Sequence, residues 1–154
     1  MKLGDILTPS AVKVLTAASS KKRLLHEVGE LAHQALSLEQ GAVVEALMER
    51  EALGPTGVGE GVALPHARLD GLQSVQGVFI LLEQPVNFDS VDRQPVDLVF
   101  ALFAPEQAGV EHLKALASVS RTLRDENLRK KLRANRDIAA LHALLTTEQK
   151  MKAA

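Results

Sequence analysis

Cysteine is absent from the 154-residue chain, which excludes disulfides, thiolate metal sites and cysteine nucleophiles and is compatible with a reducing cytoplasm. Tryptophan and tyrosine are absent too. With four phenylalanines as the whole aromatic complement, the core must be built mainly from Leu, Val, Ala and Ile. There is no excess of one charge: 18 basic and 19 acidic residues give a formal −1, which supplies none of the sequence-independent attraction that nucleic-acid-binding proteins use. Nucleic acid is not an expected partner. The first ten residues carry Asp5 and Pro9 and no long apolar run, so they read as neither a signal peptide nor a spanning helix. The expectation is a cytoplasmic protein without membrane insertion. What is present, 46% apolar and 24% charged residues, suits one globular domain with a substantial core.

Alternation over Ala11-Val12-Lys13-Val14-Leu15 predicts a short strand followed by a small, polar loop. Leu24, Leu25, Val28, Leu31, Ala32 and Ala35 then recur at helical spacing, with Ser19 or Ser20 as the cap. A second helix is predicted over Glu39 to Glu51 from Val43, Val44, Leu47 and Met48. Gly54, Pro55, Gly57, Gly59 and Gly61 exclude a regular helix and predict a shaped loop, which leaves through a strand-like Val62-Ala63-Leu64 into Pro65 and His66. Two apolar runs, Val75 to Leu82 and Val96 to Phe103, read as buried strands. Helical spacing returns over Val110 to Leu123. The charged stretch Arg121 to Arg136 keeps a helical face in Leu123, Leu128 and Leu132; its alternating signs read as a solvated helix, with a surface for an acidic partner as the alternative, and no role is assigned to it. A helix over Asp137 to Leu145 closes the fold before a polar tail from about residue 147. Strands interleaved with helices make an α/β domain, whose ligands commonly sit in loops at strand ends.

The Gly54 to His66 segment is such a place. Glycines let backbone N–H groups approach an anion closely, yet the stretch lacks the lysine and spacing of a P-loop and the dinucleotide-binding pattern. His66 follows Pro65 at the end of an apolar stretch, a position expected to expose the ring. A neutral imidazole nitrogen can attack phosphorus while the other nitrogen is oriented by a hydrogen bond. Arg50 and Arg68 are local candidates for stabilising phosphoryl charge. A lone histidine can equally be a surface or hydrogen-bonded structural residue. His26, His33 and His142 fall within helical patterns and read that way, and Asp70 and Asp97 have no partners at metal-ligand spacing, so no metal site is expected.

The strings Glu49-Arg50-Glu51 and Thr56-Gly57-Val58-Gly59-Glu60-Gly61-Val62-Ala63-Leu64-Pro65-His66-Ala67-Arg68 resemble the signature of mannitol- and fructose-type enzyme IIA domains of the bacterial phosphotransferase system. Val86-Asn87-Phe88-Asp89, Gln94-Pro95-Val96-Asp97-Leu98-Val99-Phe100-Ala101-Leu102 and His112-Leu113 continue the likeness in family order, over nearly the whole chain. Within that family the chain resembles the nitrogen-regulatory branch. The resemblance implies a single α/β domain over residues 1–154, a mixed β-sheet flanked by helices. It implies His66 as the phosphorylated residue, attacking through the ring nitrogen remote from the backbone, with His112 as the second active-site histidine and Arg50 as the active-site arginine. Thr56 would assist through its hydroxyl. Arg68 would stabilise phosphate, although lysine is common at that place in the family and a solvated charge is the alternative. His112 has its own alternative, as a helix-capping residue or a partner of Glu111.

The activity so implied is that of a phosphocarrier with a phosphohistidine intermediate. It would accept phosphate from an HPr-like histidine phosphocarrier protein, with no nucleotide or other cofactor, and regulate nitrogen- and potassium-related protein partners. Two rivals share the sequence: a sugar-specific enzyme IIA that passes phosphate to enzyme IIB, and a binding module whose regulation is independent of phosphate.

Overall fold

The computed structural model describes residues 2–153, with side chains described for 2–147. Two long apolar strands, β5 (Gln76–Val86) and β6 (Val96–Pro105), pair antiparallel at the centre of one six-stranded mixed sheet. Their nearly continuous hydrophobic runs are what strands buried on both faces require. On one side β1 (Val12–Leu15) adds parallel to β5, and on the other β3 (Val62–Ala63) and β4 (His66–Leu69) both lie parallel to β6. The outermost strand, β2 (Gly57–Gly59), pairs antiparallel with β3.

Among the described residues, five α-helices pack on the sheet. The first pair is α1 (Lys21–Leu36) and α2 (Gln40–Leu53). Ser20 caps α1 by accepting the N–H of Arg23 at 3.0 Å, and Glu39 caps α2 with its carboxylate. The second group is α3 (Val110–Leu123), α4 (Glu126–Arg133) and α5 (Ile138–Ala153). Packing of α3 on β6, and of α2 against β4, brings the end of α2 and the start of α3 to either side of His66. The core is one cluster in which Phe79, Phe88, Phe100 and Phe103 are fully buried among Leu, Val, Ala and Ile.

Three expectations need correction. The glycine-rich segment is a hairpin, not a loop throughout: Glu60 and Gly61, both at positive φ, turn β2 back into β3 as a tight primed turn does. The last helix does not stop at Leu145 but runs to Ala153, so the backbone of the expected polar tail is helical. Finally, Arg129 in the charged segment is only 8% exposed. Its guanidinium donates to the carbonyls of Leu123 and Arg124 and so satisfies the free C-terminal groups of α3. Elsewhere that segment is paired and solvated, with Lys130 near Glu126 and Arg133 bound to Asp97.

Candidate functional site

His66 is the first residue of β4, directly after Pro65, whose carbonyl accepts the N–H of Leu102 at 2.9 Å on β6. A proline can occupy this place because its missing N–H falls at a break between two short strands. The break turns the imidazole towards the C-terminal end of α2. The ring is partly buried, not open as the sequence suggested, and both of its nitrogens are engaged.

Nδ1 of His66 lies 3.0 Å from the carbonyl oxygen of Leu64. A carbonyl can only accept, so Nδ1 carries the proton and Nε2 holds a lone pair. That lone pair accepts the Nε–H of Arg50 at 3.2 Å. The same arginine donates from a terminal nitrogen to the carbonyl of Gly54 at 2.9 Å, which aims its guanidinium along the ring. Burial lowers the His66 pKa below 6.5, and the Arg50 charge adds to this, whereas the Leu64 carbonyl and the Glu51 carboxylate oppose it. The net result is a neutral ring with its nucleophilic atom remote from the backbone.

His112 reaches the site from the first turn of α3, its ring centroid 5.4 Å from that of His66 and tilted by 53°. It is 6% exposed, and its Nδ1 is buried without a hydrogen-bond partner. Its pKa is also lowered, by burial first and then by the charges of His66 and Arg68. Glu111 does not account for it: the buried ring faces His66, whereas Glu111 is exposed. Beside these groups lies a cavity of about 340 Å³ lined by Arg50, Thr56, Val58, His66, Leu116 and Ser120, among others. A larger cleft, about 750 Å³, opens near Asp5, Gln107 and Lys114 and contains none of these residues. We place the candidate site at the smaller cavity because a neutral imidazole and an arginine that donates to it meet there.

The other sequence candidates divide. Thr56 lines the cavity but is 3% exposed, and its hydroxyl donates to the carboxylate of Glu51. Arg68 directs its hydrogen bonds away from His66. Its guanidinium is tied to the carbonyls of Glu106 and Ala108 in the turn before α3, so it is neither free in solvent nor on the nucleophile. His33 and His142 hydrogen-bond the carbonyls of Leu38 and Leu7, as structural histidines do. Among the described residues no group of three or more His, Asp or Glu could hold a metal. Asp97 instead binds Arg133 through both carboxylate oxygens, at 2.8 and 3.0 Å.

Sequence reasoning gave no role to Glu51 or to the carbonyls of Gly54 and Leu64. Backbone acceptors leave no mark in side-chain identity. The signal for Glu51 was its position, an acid in the last turn of a helix, where the macrodipole disfavours negative charge.

Comparison with known proteins identifies the family. Residues 5–148 match the family model described as phosphoenolpyruvate-dependent sugar phosphotransferase system, EIIA 2. A curated relative, the nitrogen regulatory protein of Bradyrhizobium diazoefficiens, is 46% identical over 145 residues, covering 94% of this chain and 95% of that protein. The crystal structure of nitrogen regulatory protein IIA-Ntr from Neisseria meningitidis superposes with a TM-score of 0.86 at 39% identity, covering 94% of this chain and 99% of that one. The same fold recurs at 22% identity, with a TM-score of 0.78 and coverage of 92% and 99%, in Escherichia coli enzyme IIAMTL, solved in complex with phosphorylated enzyme IIBMTL. Fold, coverage and identity together establish that this chain belongs to the EIIA 2 family of the phosphoenolpyruvate-dependent sugar phosphotransferase system, and that its similarity extends to the nitrogen regulatory proteins within it.

Proposed function

We propose that the chain is a phosphocarrier that takes a phosphoryl group onto Nε2 of His66 from a phosphohistidine of an HPr-like protein, and that its phosphorylation state controls regulatory partners. The observation that carries the reading is the pair of contacts at His66. Leu64 holds the proton on Nδ1, and Arg50 stands at Nε2.

The transfer balances without proton movement or cofactor. As the Nε2–P bond forms, the N–P bond on the donor breaks; the donor ring, protonated on its other nitrogen, leaves as a neutral imidazole with the electron pair, and the phosphorylated His66 ring takes over the positive charge. Nδ1 of His66 keeps its proton on Leu64 throughout. Arg50 must swing from the nucleophile to the phosphoryl oxygens as phosphorus arrives, and the planar guanidinium suits that contact. Catalysis then consists of positioning and charge stabilisation. His112 adds a donor on the other side, Thr56 supports the cavity wall, and Arg68 acts through His112 and not on phosphate directly.

Nitrogen-related regulation is favoured by the names of the relatives at 38–46% identity, and potassium-related partners enter this proposal from the family resemblance alone. Exchange between such proteins would take place in the cytoplasm. A sugar-specific role, with phosphate passing to an enzyme IIB, is the second reading, supported by the complex that enzyme IIAMTL forms.

The test is to incubate the purified chain with labelled phosphoenolpyruvate and the general phosphotransfer proteins, then map the label under neutral or basic conditions. The expected result is label on the His66 peptide, lost in His66→Ala and retained in His142→Ala. Regulation that survives His66→Ala would instead favour a phosphate-independent module. Sugar phosphorylation lost in a strain without the protein would favour the sugar branch.

A further inference from the structure

Glu51 occupies the last turn of α2, where the helix dipole disfavours a carboxylate, and its side chain is only 6% exposed. A buried carboxylate is costly unless its lone pairs are met by donors. Three donors meet it here. Lys21, the first residue of α1, places Nζ 2.6 Å from Oε2. The Thr56 N–H donates to the same oxygen at 3.3 Å, and the Thr56 hydroxyl donates to Oε1.

From Thr56 the connections lead to the nucleophile. The Thr56 carbonyl accepts the Leu64 N–H at 2.9 Å, and the Leu64 carbonyl accepts Nδ1–H of His66 at 3.0 Å. Arg50 holds the other nitrogen. Two consecutive residues at the end of α2 therefore control opposite sides of one imidazole, Arg50 directly and Glu51 through Thr56 and Leu64. A side chain kept at a place unfavourable to its charge, and joined to the nucleophile by an unbroken series of hydrogen bonds, has more to do than stabilise the helix.

We infer that Glu51 is a positioning residue for His66: by fixing Thr56 it holds the Leu64 carbonyl where only the Nδ1–H tautomer can meet it, which leaves Nε2 as the nucleophile. This rests on the reading that His66 accepts the phosphoryl group. Glu51 touches no transferring atom in this scheme. Its effect is on which nitrogen is free.

The test compares the full-length wild-type chain with Glu51→Gln, Thr56→Val and Thr56→Ser. Two readouts are taken: the protonation of each His66 nitrogen by NMR on isotope-labelled histidine at neutral pH, and the rate of phosphoryl uptake from the carrier protein. In Glu51→Gln one acceptor oxygen becomes a donor facing Lys21 and Thr56. The expected result is a mixed tautomer at His66 and uptake slower by about tenfold, a modest share of the loss seen when a catalytic histidine is left in the wrong tautomer outright. Thr56→Val keeps shape without the hydroxyl and should shift the same signals, and Thr56→Ser should return both readouts towards wild type. A folded Glu51→Gln with the wild-type tautomer and rate overturns the inference. If that variant does not fold, Thr56→Val decides in its place by the same criterion. Failure of the wild-type chain to take up phosphate overturns the phosphocarrier reading instead, while the nitrogen signals still report whether Glu51 sets the tautomer.

Discussion

The Nε–H of Arg50 donates to Nε2 of His66 over 3.2 Å, so the guanidinium rests on the very lone pair that would attack phosphorus. Burial first, and the arginine charge after it, keep the ring neutral, and in the proposed transfer the guanidinium stands beside the point where negative charge arrives. It follows that Arg50→Ala should slow transfer far more than it weakens folding. A loss of about a hundredfold in rate is expected for a lost charge-stabilising donor, against about 1 kcal/mol for the hydrogen bond to Gly54. Arg50→Lys should recover part of the rate, because it restores charge but not the two-pronged geometry. Rates from label uptake and urea midpoints on the same variants check this, and equal losses in both would show that Arg50 only braces the loop.

His112 lies against the His66 ring but holds no hydrogen bond to it. Its replacement by Gln should therefore reduce uptake by less than Arg50→Ala does, about tenfold or below, since a histidine that only assists the transfer leaves the nucleophile intact. The measurement is the same uptake assay. Abolition of labelling in His112→Gln with the fold intact would move His112 from assistant to essential group.

Both site histidines titrate below the ordinary 6.5, chiefly because burial disfavours the charged ring. As pH falls, the unfolded chain binds protons at these positions before the folded chain does. The stability associated with the neutral rings is thus complete above 6.5 and is lost as pH drops below it and through the lowered folded values. NMR titration should give midpoints for both rings under 6.5, and urea midpoints should fall across the same window, less steeply in His112→Gln. A midpoint at or above 6.5 for His66 would contradict the geometry.

Arg68 lowers the His112 pKa by its charge while its guanidinium is bound to the Glu106 and Ala108 carbonyls. Arg68→Ala should raise the His112 midpoint. Uptake should change by less than about fivefold, the factor that corresponds to roughly 1 kcal/mol from an exposed charge. A loss as large as that of Arg50→Ala would show that Arg68 reaches the phosphoryl group during transfer.

Gly61 turns the hairpin that carries the cavity wall, at φ +78°, and a Cβ there would lie 2.4 Å from a guanidinium nitrogen of Arg133 and 2.8 Å from the Asp97 carboxylate. Gly61→Ala should cost about 1–3 kcal/mol from backbone strain, with more from displacement of the ion pair. Gly71→Ala, at φ +87° with open space around it, isolates the strain alone and should cost less. Urea unfolding of the two variants gives the comparison, and equal costs would mean that Arg133 moves aside freely.

Local chemistry made much of this protein legible from its residues. The periodicity of Leu24 to Ala35, the apolar runs that became β5 and β6, and the serine cap of α1 all express rules that act within a few residues, and the structure keeps them. The motif from Thr56 to Arg68 pointed to the candidate site, with Arg50 and His112 joined to it by family likeness and not by any local rule. Tertiary structure decided the rest. Whether the glycine-rich stretch is loop or hairpin depends on β6, whose Asp97 and Leu98 N–H groups donate to the Gly61 carbonyl at 3.0 Å from far along the chain. Which nitrogen of His66 is free depends on a carbonyl two residues away whose direction is set through Thr56 by Glu51 and Lys21. Arg68 and Arg50 are both cations close to His66 in the sequence, yet β4 turns Arg68 towards the loop before α3 and α2 turns Arg50 onto the ring. A sequence specifies which charges and donors exist, but their direction is settled only when strands and helices distant in the chain pack and fix the backbone between them.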